Sequence, residues 1–379
     1  MRCAPALPDL AMGSTDPSVV APNAVSALDR GVSLSDEDPS RMQLGSRYGL
    51  RFVPAGAMLV ALAGVPALVS AQGIDSRCPG VSITERTTQD ACQKAVDIFA
   101  FMTPQLGIGL VGGNATLGAG SALGGIGHFS IGLRGNATRG RVPQVANVNA
   151  AITGAESSDF GVDDQVVGLP AVDGAIGLFG GIPLGLTRAL ALDGLVSASY
   201  VPSFTNSNMA VSLPDGSLKL GYGARLGVVT ESFAIPAVSL TYLRRDLPTT
   251  SISAASGDDD ISVSGIGVKT SAWRAVAGKS LGFFGIALGA GQDRYDSRAT
   301  ASVRVNDSGS LVDGGPYTLS QKVTRANMFA DFSLNFPFVK LAAEVGRVSG
   351  GTIDTYNTFS GKRADDALTY ASIGIRIAN

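Results

Sequence analysis

Residues 326–345 read ANMFADFSLNFPFVKLAAEV, and this stretch decides the fold class. Apolar residues such as Met328 and Phe332 stand at every second position and alternate with polar residues such as Asp331. The alternation resumes after a short link at 336–337. A period of two places successive side chains on opposite faces of a β-strand. The stretch therefore predicts two antiparallel strands, each with one apolar face and one polar face.

The same alternation recurs along the rest of the chain after about residue 105. We predict about ten strands, in an all-β fold, near residues 125–139, 167–180, 189–202, 217–230, 236–247, 260–278, 281–296, 318–335, 338–348 and 367–378. The Gly-rich run at 106–124 either adds two short strands, giving about twelve, or packs inside the sheet structure.

The links between these strands alternate in length, and this is the most specific signal in the sequence. Short links fall at 181–188, 231–235, 279–281 and 336–337, and long polar links fall at 140–166, 203–216, 248–260, 297–317 and 349–366. Short turns at one end and long loops at the other are typical of a closed antiparallel transmembrane β-barrel. A soluble exported β-sandwich would show the same alternation within each strand, and it is the alternative fold.

An apolar run from Phe52 to Val69 follows Arg47 and Arg51 and ends with the small residues of 69–71. These features predict a secretory signal peptide over 42–71, cleaved after Ala71 so that the mature chain begins at Gln72. A retained membrane anchor is the alternative. Residues 1–41 are polar and Pro-rich, and they indicate either a misassigned start or a disordered extension.

The segment 72–105 is expected to be a periplasmic or plug segment, followed by the barrel at 106–379. Residues 84–103 have apolar positions at helical spacing, and Pro104 is expected to end that helix. Cys78 and Cys92 are expected to form a disulfide, because an exported segment meets an oxidising compartment; two free thiols are the alternative.

This layout of signal peptide, short helix, amphipathic strands and strand-like C-terminus resembles that of bacterial outer-membrane β-barrel proteins. The resemblance implies an outer-membrane location, contact with membrane lipid, and a non-enzymatic role as a narrow passage or a structural barrel. Small solutes or small hydrophobic molecules are the implied cargo. A helix inside the lumen would also resemble the plug of long-chain fatty-acid transporters. The chain departs from the usual pattern by ending in Asn379 rather than in an aromatic residue.

Charged residues on the polar faces of the predicted strands are candidates for lining the lumen: Arg134, Asp193, Lys219, Arg225, Asp293, Asp331, Lys340, Glu344 and Arg376. In a wide pore these mixed charges would give little ion preference. In a narrow barrel they would pair with one another and fill the lumen, which is the interpretation we favour.

His128, the single histidine, and Ser130 lie on the same face of one predicted strand. The H-x-S arrangement resembles that of outer-membrane lipid A deacylases and implies the alternative function, a lipid-modifying hydrolase. The next acidic residue is Glu156, in a predicted loop, so the third member of a triad is missing nearby. We therefore interpret His128 as a lumen-facing residue without a catalytic role.

Composition excludes several other classes of function. The chain has 29 basic and 31 acidic residues, and this balance argues against nucleic-acid binding, which needs a clustered basic surface. Asp163-Asp164 and Asp258–Asp260 lack the ligand spacing of a calcium loop. No cofactor or metal is predicted. Asn306–Gly309 is a turn signal, expected at the tip of a hairpin.

Overall fold

The computed structural model describes residues 73–145, 149–201, 204–205, 210–212, 216–256 and 258–379. The predicted extension at 1–41, the signal peptide at 42–71 and the cleavage position before Gln72 all lie outside the described residues.

The described chain begins with one long helix, α1, which spans Ile83–Val111. Ser82 caps its N-terminus: the Ser82 hydroxyl accepts a hydrogen bond from the Glu85 backbone N–H, and the Glu85 carboxylate accepts one from the Ser82 N–H. This reciprocal capping box satisfies two backbone donors that the first helical turn leaves free. The helix ends at Gly112, whose φ of 58° lies in the left-handed region that favours glycine.

The prediction that Pro104 ends the helix is wrong, because Pro104 lies inside α1. Proline lacks an N–H, so it leaves the carbonyl of Ala100, four residues earlier, without its helical donor. The side-chain amide of Gln321, on a neighbouring strand, donates to that carbonyl at 3.5 Å. A tertiary contact thus partly replaces the hydrogen bond that the sequence removes, and the helix continues to Val111.

The described part of the chain contains fourteen strands. They are β1 (Phe129–Pro143), β2 (Val162–Phe179), β3 (Ile182–Leu184), β4 (Thr187–Tyr200), β5 (Phe204–Thr205), β6 (Ala210–Ser212), β7 (Leu218–Val229), β8 (Ala237–Asp246), β9 (Thr250–Ser256), β10 (Asp259–Leu281), β11 (Phe284–Asp307), β12 (Ser310–Asn335), β13 (Val339–Val348) and β14 (Leu368–Ala378).

Ten of these strands form a closed antiparallel ring in the order β1-β2-β4-β7-β8-β10-β11-β12-β13-β14. The last strand pairs with the first, in a register that runs from Ser130 opposite Ala378 to Thr138 opposite Tyr370. Each ring strand coincides with one of the ten predicted strands to within a few residues, apart from extensions of β11 and β12. Because the sheet closes on itself, the two-sheet sandwich is wrong and the barrel is confirmed.

The two faces of the ring have opposite chemistry. Large apolar side chains point outward, such as Met328 at 65% exposure and Leu288 at 60%. Charged side chains point inward, such as Arg225 at 1% and Asp293 at 0%. An outer apolar band around a polar interior is the reverse of a water-soluble barrel and is the arrangement of outer-membrane barrels. The fold is therefore a transmembrane-type β-barrel.

The two ends of the barrel differ in their connections. Short links at 180–186, 230–236, 282–283 and 336–338 join strands at one end, which we call the short-turn end; β3 lies within the first of them. The long connections, including 144–161 and 349–367, lie at the other, the long-loop end.

One predicted loop at the long-loop end proves to be paired strand. Residues 297–317 belong almost entirely to β11 and β12, which pair up to a tight turn with Asp307 opposite Ser310. The Gly309 backbone N–H donates to the Asn306 side-chain oxygen at 2.8 Å and stabilises that turn. The predicted hairpin tip at 306–309 is thus confirmed, whereas the long loop around it is wrong.

Helix α1 lies inside the ring. It packs against β10, β11 and β12 on one side and against β1, β2 and β14 on the other. By length and composition α1 could cross a membrane, but most of it is buried within the barrel. Residues 112–124 follow it in irregular conformation, also largely buried, and form no strand. We call α1 together with residues 112–124 the lumen plug.

Candidate functional site

The interface between the lumen plug and the inner wall is the candidate functional site. Its first part lies where α1 ends. Arg274 Nη2 donates to the Gly112 carbonyl at 3.1 Å, and Asn327 Nδ2 donates to the same oxygen at 3.3 Å. Arg245 donates to the carbonyls of Leu110 and Val111. The last carbonyls of a helix have no partner within the helix. Here wall side chains supply those partners, so the wall holds the C-terminal end of α1.

Two buried ion pairs lie on the wall beside this helix end. Arg225 Nη2 stands 2.7 Å from Asp193 Oδ2, and both side chains are at most 1% exposed. Arg274 pairs with Asp293 in an equally buried position. The Leu123 backbone N–H of the plug donates to both carboxylate oxygens of Asp193 at 3.2 Å. The ion pairs therefore hold the plug as well as joining neighbouring strands.

Asp173 joins two arginines in a third cluster. Arg134 Nη2 is 3.1 Å and Arg245 Nη2 is 2.8 Å from the Asp173 carboxylate. Ser197 donates a further hydrogen bond to it at 2.8 Å. Because Arg134 also donates to the Asn114 carbonyl at 2.9 Å, this cluster again connects the wall to the plug.

Two carboxyl groups face each other where Asp331 lies opposite Glu344 in the pairing of β12 and β13. Like charges in this position repel. Asn114 of the plug donates to both: its backbone N–H to Glu344 Oε2 at 2.7 Å and its side-chain amide to Asp331 Oδ2 at 2.6 Å. Asn114 therefore connects β12 and β13 by donating a hydrogen bond to each of the two facing carboxyl groups.

The N-terminal half of α1 is held differently, by apolar packing and by the long connections. Phe99 and Ala95 belong to a buried apolar cluster with residues of β9–β12. The Asp97 carboxylate accepts hydrogen bonds from the backbone and side chain of Asn357 at 2.9 and 2.7 Å. A disulfide joins Cys78 to Cys92, with the Cα atoms 5.6 Å apart, and ties the chain before the helix to its third turn.

The predicted lumen residues all lie on strands of the ring, but the structure brings only some of them together. Arg225 meets Asp193, and Asp331 faces Glu344. In the part of the chain that the structure describes, five predicted residues form no ion pair: the cations Lys219, Lys340 and Arg376, and the facing carboxyl groups of Asp331 and Glu344.

Four residues that carry this interface are missing from the sequence prediction: Asn114, Asp173, Arg245 and Arg274. The alternation could have predicted one of them, because Arg245 lies four residues after the inward-facing Thr241 and therefore on the same face of its strand. Asp173 and Arg274 lie in the predicted strands at 167–180 and 260–278, and the prediction did not say which residues of these two strands face inward. Asn114 lies outside any strand, so periodicity carries no information about it.

The structure does not assemble a catalytic site from His128 and Ser130. His128 is exposed, and its ring Nδ1 is 3.0 Å from the backbone oxygen of Asn379. Ser130 is 2% exposed and faces the interior. His128 has no hydrogen bond to Ser130 or to an acidic side chain among the described residues.

Within the described ranges, no group of three His, Cys, Asp or Glu residues could hold a metal ion. Asp258 and Asp259, considered above for calcium, instead accept hydrogen bonds from Asn306 in the β11–β12 hairpin, both at 2.8 Å.

Comparison with known proteins adds little beyond the fold. No protein-family profile matches the chain, and no curated protein matches its sequence. Among solved structures, the toluene transporter TodX of Pseudomonas putida aligns over 66% of this chain and 88% of its own, at 12% identity and a TM-score of 0.26. The outer membrane channel DcaP of Acinetobacter baumannii aligns over 68% of this chain and 99% of its own, at 12% identity and a TM-score of 0.17. The closed ring and its reversed faces carry the assignment to the outer-membrane barrel architecture.

Proposed function

We propose that this chain is a non-enzymatic outer-membrane barrel that forms a narrow passage for small polar solutes, closed in the present conformation by residues 112–124. The observation that carries the proposal is the way these residues are held. Their contacts with the wall include hydrogen bonds to charged side chains, such as those from Asn114 to Asp331 and Glu344. A hydrogen bond to a charged group contributes only about 1.5–3 kcal/mol net, because water replaces the partner when it breaks.

The helix and the following segment have different roles in this proposal. Apolar packing and the disulfide hold the N-terminal part of α1, and burial of apolar surface is lost when such a contact opens. Residues 112–124 contain five glycines, and their only large apolar side chains are Leu117 and Leu123. We therefore assign the fixed part of the plug to α1 and the movable part to residues 112–124.

Ion conductance of the purified, folded protein in planar bilayers tests the proposal. Asn114→Asp places a third carboxylate beside Asp331 and Glu344, so repulsion should displace residues 112–124 and raise the mean conductance several-fold. Asn306→Asp makes the same chemical change in the hairpin tip, at the opposite end of the barrel from residues 112–124, and should leave conductance unchanged.

A second variant separates a passage from a structural barrel. Replacing residues 112–124 by a flexible Gly-Ser linker removes the contacts to Asp193, Asp331 and Glu344 together. A difference in gel mobility between unheated and heated protein shows that this variant is folded. If the folded variant still does not conduct ions, the barrel is structural and the passage is refuted.

We also propose that the chain reaches the outer membrane through the cleaved signal peptide at 42–71. The outward apolar band supports a membrane location, because such a surface is unstable in water. The intact mass of protein from the outer-membrane fraction should correspond to a chain that begins at Gln72. A mass that includes residues 52–69 would instead indicate a membrane anchor.

The hydrolase alternative receives no support from the position of His128. Purified protein should not hydrolyse lipid A or phospholipid esters. Hydrolysis that disappears in both His128→Ala and Ser130→Ala, with the barrel still folded, would favour the enzyme over the passage.

A further inference from the structure

Two cations stand directly opposite each other near the short-turn end of the barrel. Lys340 on β13 pairs in register with Arg376 on β14, and both side chains belong to the inner face. Like charges directly opposite on neighbouring strands destabilise a sheet. Neither side chain forms an ion pair with any carboxylate in the described part of the chain. By contrast, Arg134, Arg225, Arg245 and Arg274 on the inner wall each form an ion pair with an aspartate. Arg325, which is also buried, donates to the backbone carbonyls of Ala364 and Asp366 instead.

Arg376 also has unused hydrogen-bond donors. Its Nε and Nη1 atoms are buried and have no hydrogen-bond partner. Lys340 Nζ makes one described hydrogen bond, to the Gly118 carbonyl at 3.2 Å. Burying a cationic donor without a partner is costly, and the cost falls when an acceptor of opposite charge is present. The pair therefore has both the charge and the donors for an anionic ligand.

A cavity of about 180 Å³ lies beside this pair, between residues 118–123 of the plug and the wall. Lys279 is a third cation in its lining. The one carboxylate in the lining, Glu231, already accepts a hydrogen bond from the Ser280 backbone N–H at 2.7 Å and lies 3.6 Å from Lys279 Nζ. The plug contributes only small residues and Leu123 to this lining, which leaves the space open. Its volume is sufficient for several water molecules or one small anion.

We propose that this cavity is a binding site for a small oxyanion, a carboxylate or a phosphate group, with Arg376 and Lys340 as its principal ligands. The planar guanidinium of arginine suits the paired oxygens of either group, and lysine adds a point charge. A bound anion would neutralise the opposed pair and supply acceptors for the free Arg376 donors. The site goes beyond the proposed passage, because binding at this end requires no transport through the barrel.

Isothermal titration of the full, detergent-folded chain tests the site, with inorganic phosphate and with acetate as separate probes at constant ionic strength. We expect saturable binding of at least one probe, and the tighter one identifies the anion class. Lys340→Gln and Arg376→Gln should each weaken that binding at least tenfold. The matched control is the double variant Lys269→Gln/Lys322→Gln, which removes two exposed lysines and should leave the dissociation constant unchanged.

Two outcomes would overturn the proposal: no saturable binding of either probe, or equal affinity in wild-type protein and in both single variants. Unheated gel mobility shows whether each variant is folded. Should Arg376→Gln fail to fold, the partly exposed Lys340 gives the test alone, since its loss leaves the guanidinium in place. A barrel that binds phosphate but does not conduct ions would support this site and refute only the passage.

Discussion

Arg225 and Asp193 form an ion pair that is almost completely closed to solvent, and its two partners lie on neighbouring strands. Arg225→Met removes the cation and leaves the Asp193 carboxylate buried without its counter-charge. Breaking a buried pair in this way costs about 3–5 kcal/mol. We expect that loss in the free energy of unfolding, measured by urea titration of the folded barrel in lipid vesicles.

The control for this variant is Arg304→Met in the β11–β12 hairpin, where Arg304 pairs with Asp313 at 2.7 Å but both side chains are exposed. Solvent screens such a pair, so its removal should leave stability nearly unchanged. Equal effects of the two substitutions would show that the inner ion pairs are hydrated and do not hold the wall together.

The outward apolar band can be tested with two leucines of nearly equal exposure. Leu288 is 60% exposed on the ring, and Leu311 is 58% exposed near the hairpin tip. Arginine on a lipid-facing strand costs about 2–4 kcal/mol near the middle of the bilayer and about 0–1 kcal/mol near its edges. Leu288→Arg should therefore destabilise the folded barrel in vesicles far more than Leu311→Arg does. A protein folded in water would tolerate both changes alike.

For single residues, the sequence predicted which face of a strand a side chain occupies better than which residue it contacts. The alternation placed Arg225 and Asp193 on the polar faces of their strands, and the structure brings them together. The alternation within a strand does not show which residues come into contact when the contact joins segments that are distant in sequence. Asn114 and Asp331 are 217 positions apart, and only the seating of the plug brings them into contact.

Among the elements, residues 112–124 contact the backbone of the wall at a point where two glycines meet. A Cβ atom added at Gly120 would lie 2.6 Å from the Gly278 Cα atom on β10. Backbone cannot move aside as a flexible side chain can, so Gly120→Val should displace the plug from the wall. We expect residues 112–124 to become cleavable by proteinase K in the folded barrel. Gly135→Val, at a position with no atom within 4 Å of the added Cβ, should leave them protected.

Elements with a strong period were predictable and those that depend on their surroundings were not. The ring strands could be predicted from alternation, because every strand of the barrel needs one apolar face toward the membrane lipid. The helix was predicted to end before Pro104, since proline disfavours a helix interior. In the structure the helix continues, and the freed carbonyl accepts from the Gln321 side chain, which lies on β12 and cannot be located from the local sequence.

For the whole molecule, the direction of α1 makes a prediction about topology that the strand pattern alone could not make. The N-terminal half of α1 lies among the long connections: the Asp90 carboxylate accepts from the Glu156 backbone N–H at 2.9 Å, and Lys94 Nζ donates to the Asn149 carbonyl at 2.8 Å. The plug then runs to the short-turn end, where Gly120 meets Gly278. In an outer-membrane barrel the long loops face outward and the short turns face the periplasm. Residues before α1 should therefore be accessible from outside the cell.

Val81, at 90% exposure, and Phe233, in a short turn, allow a matched comparison. A membrane-impermeant maleimide applied to intact cells should label Val81→Cys and should label Phe233→Cys only after the outer membrane is opened. The opposite labelling pattern would mean that the barrel is inserted the other way, and equal labelling in intact cells would argue against a membrane-spanning barrel.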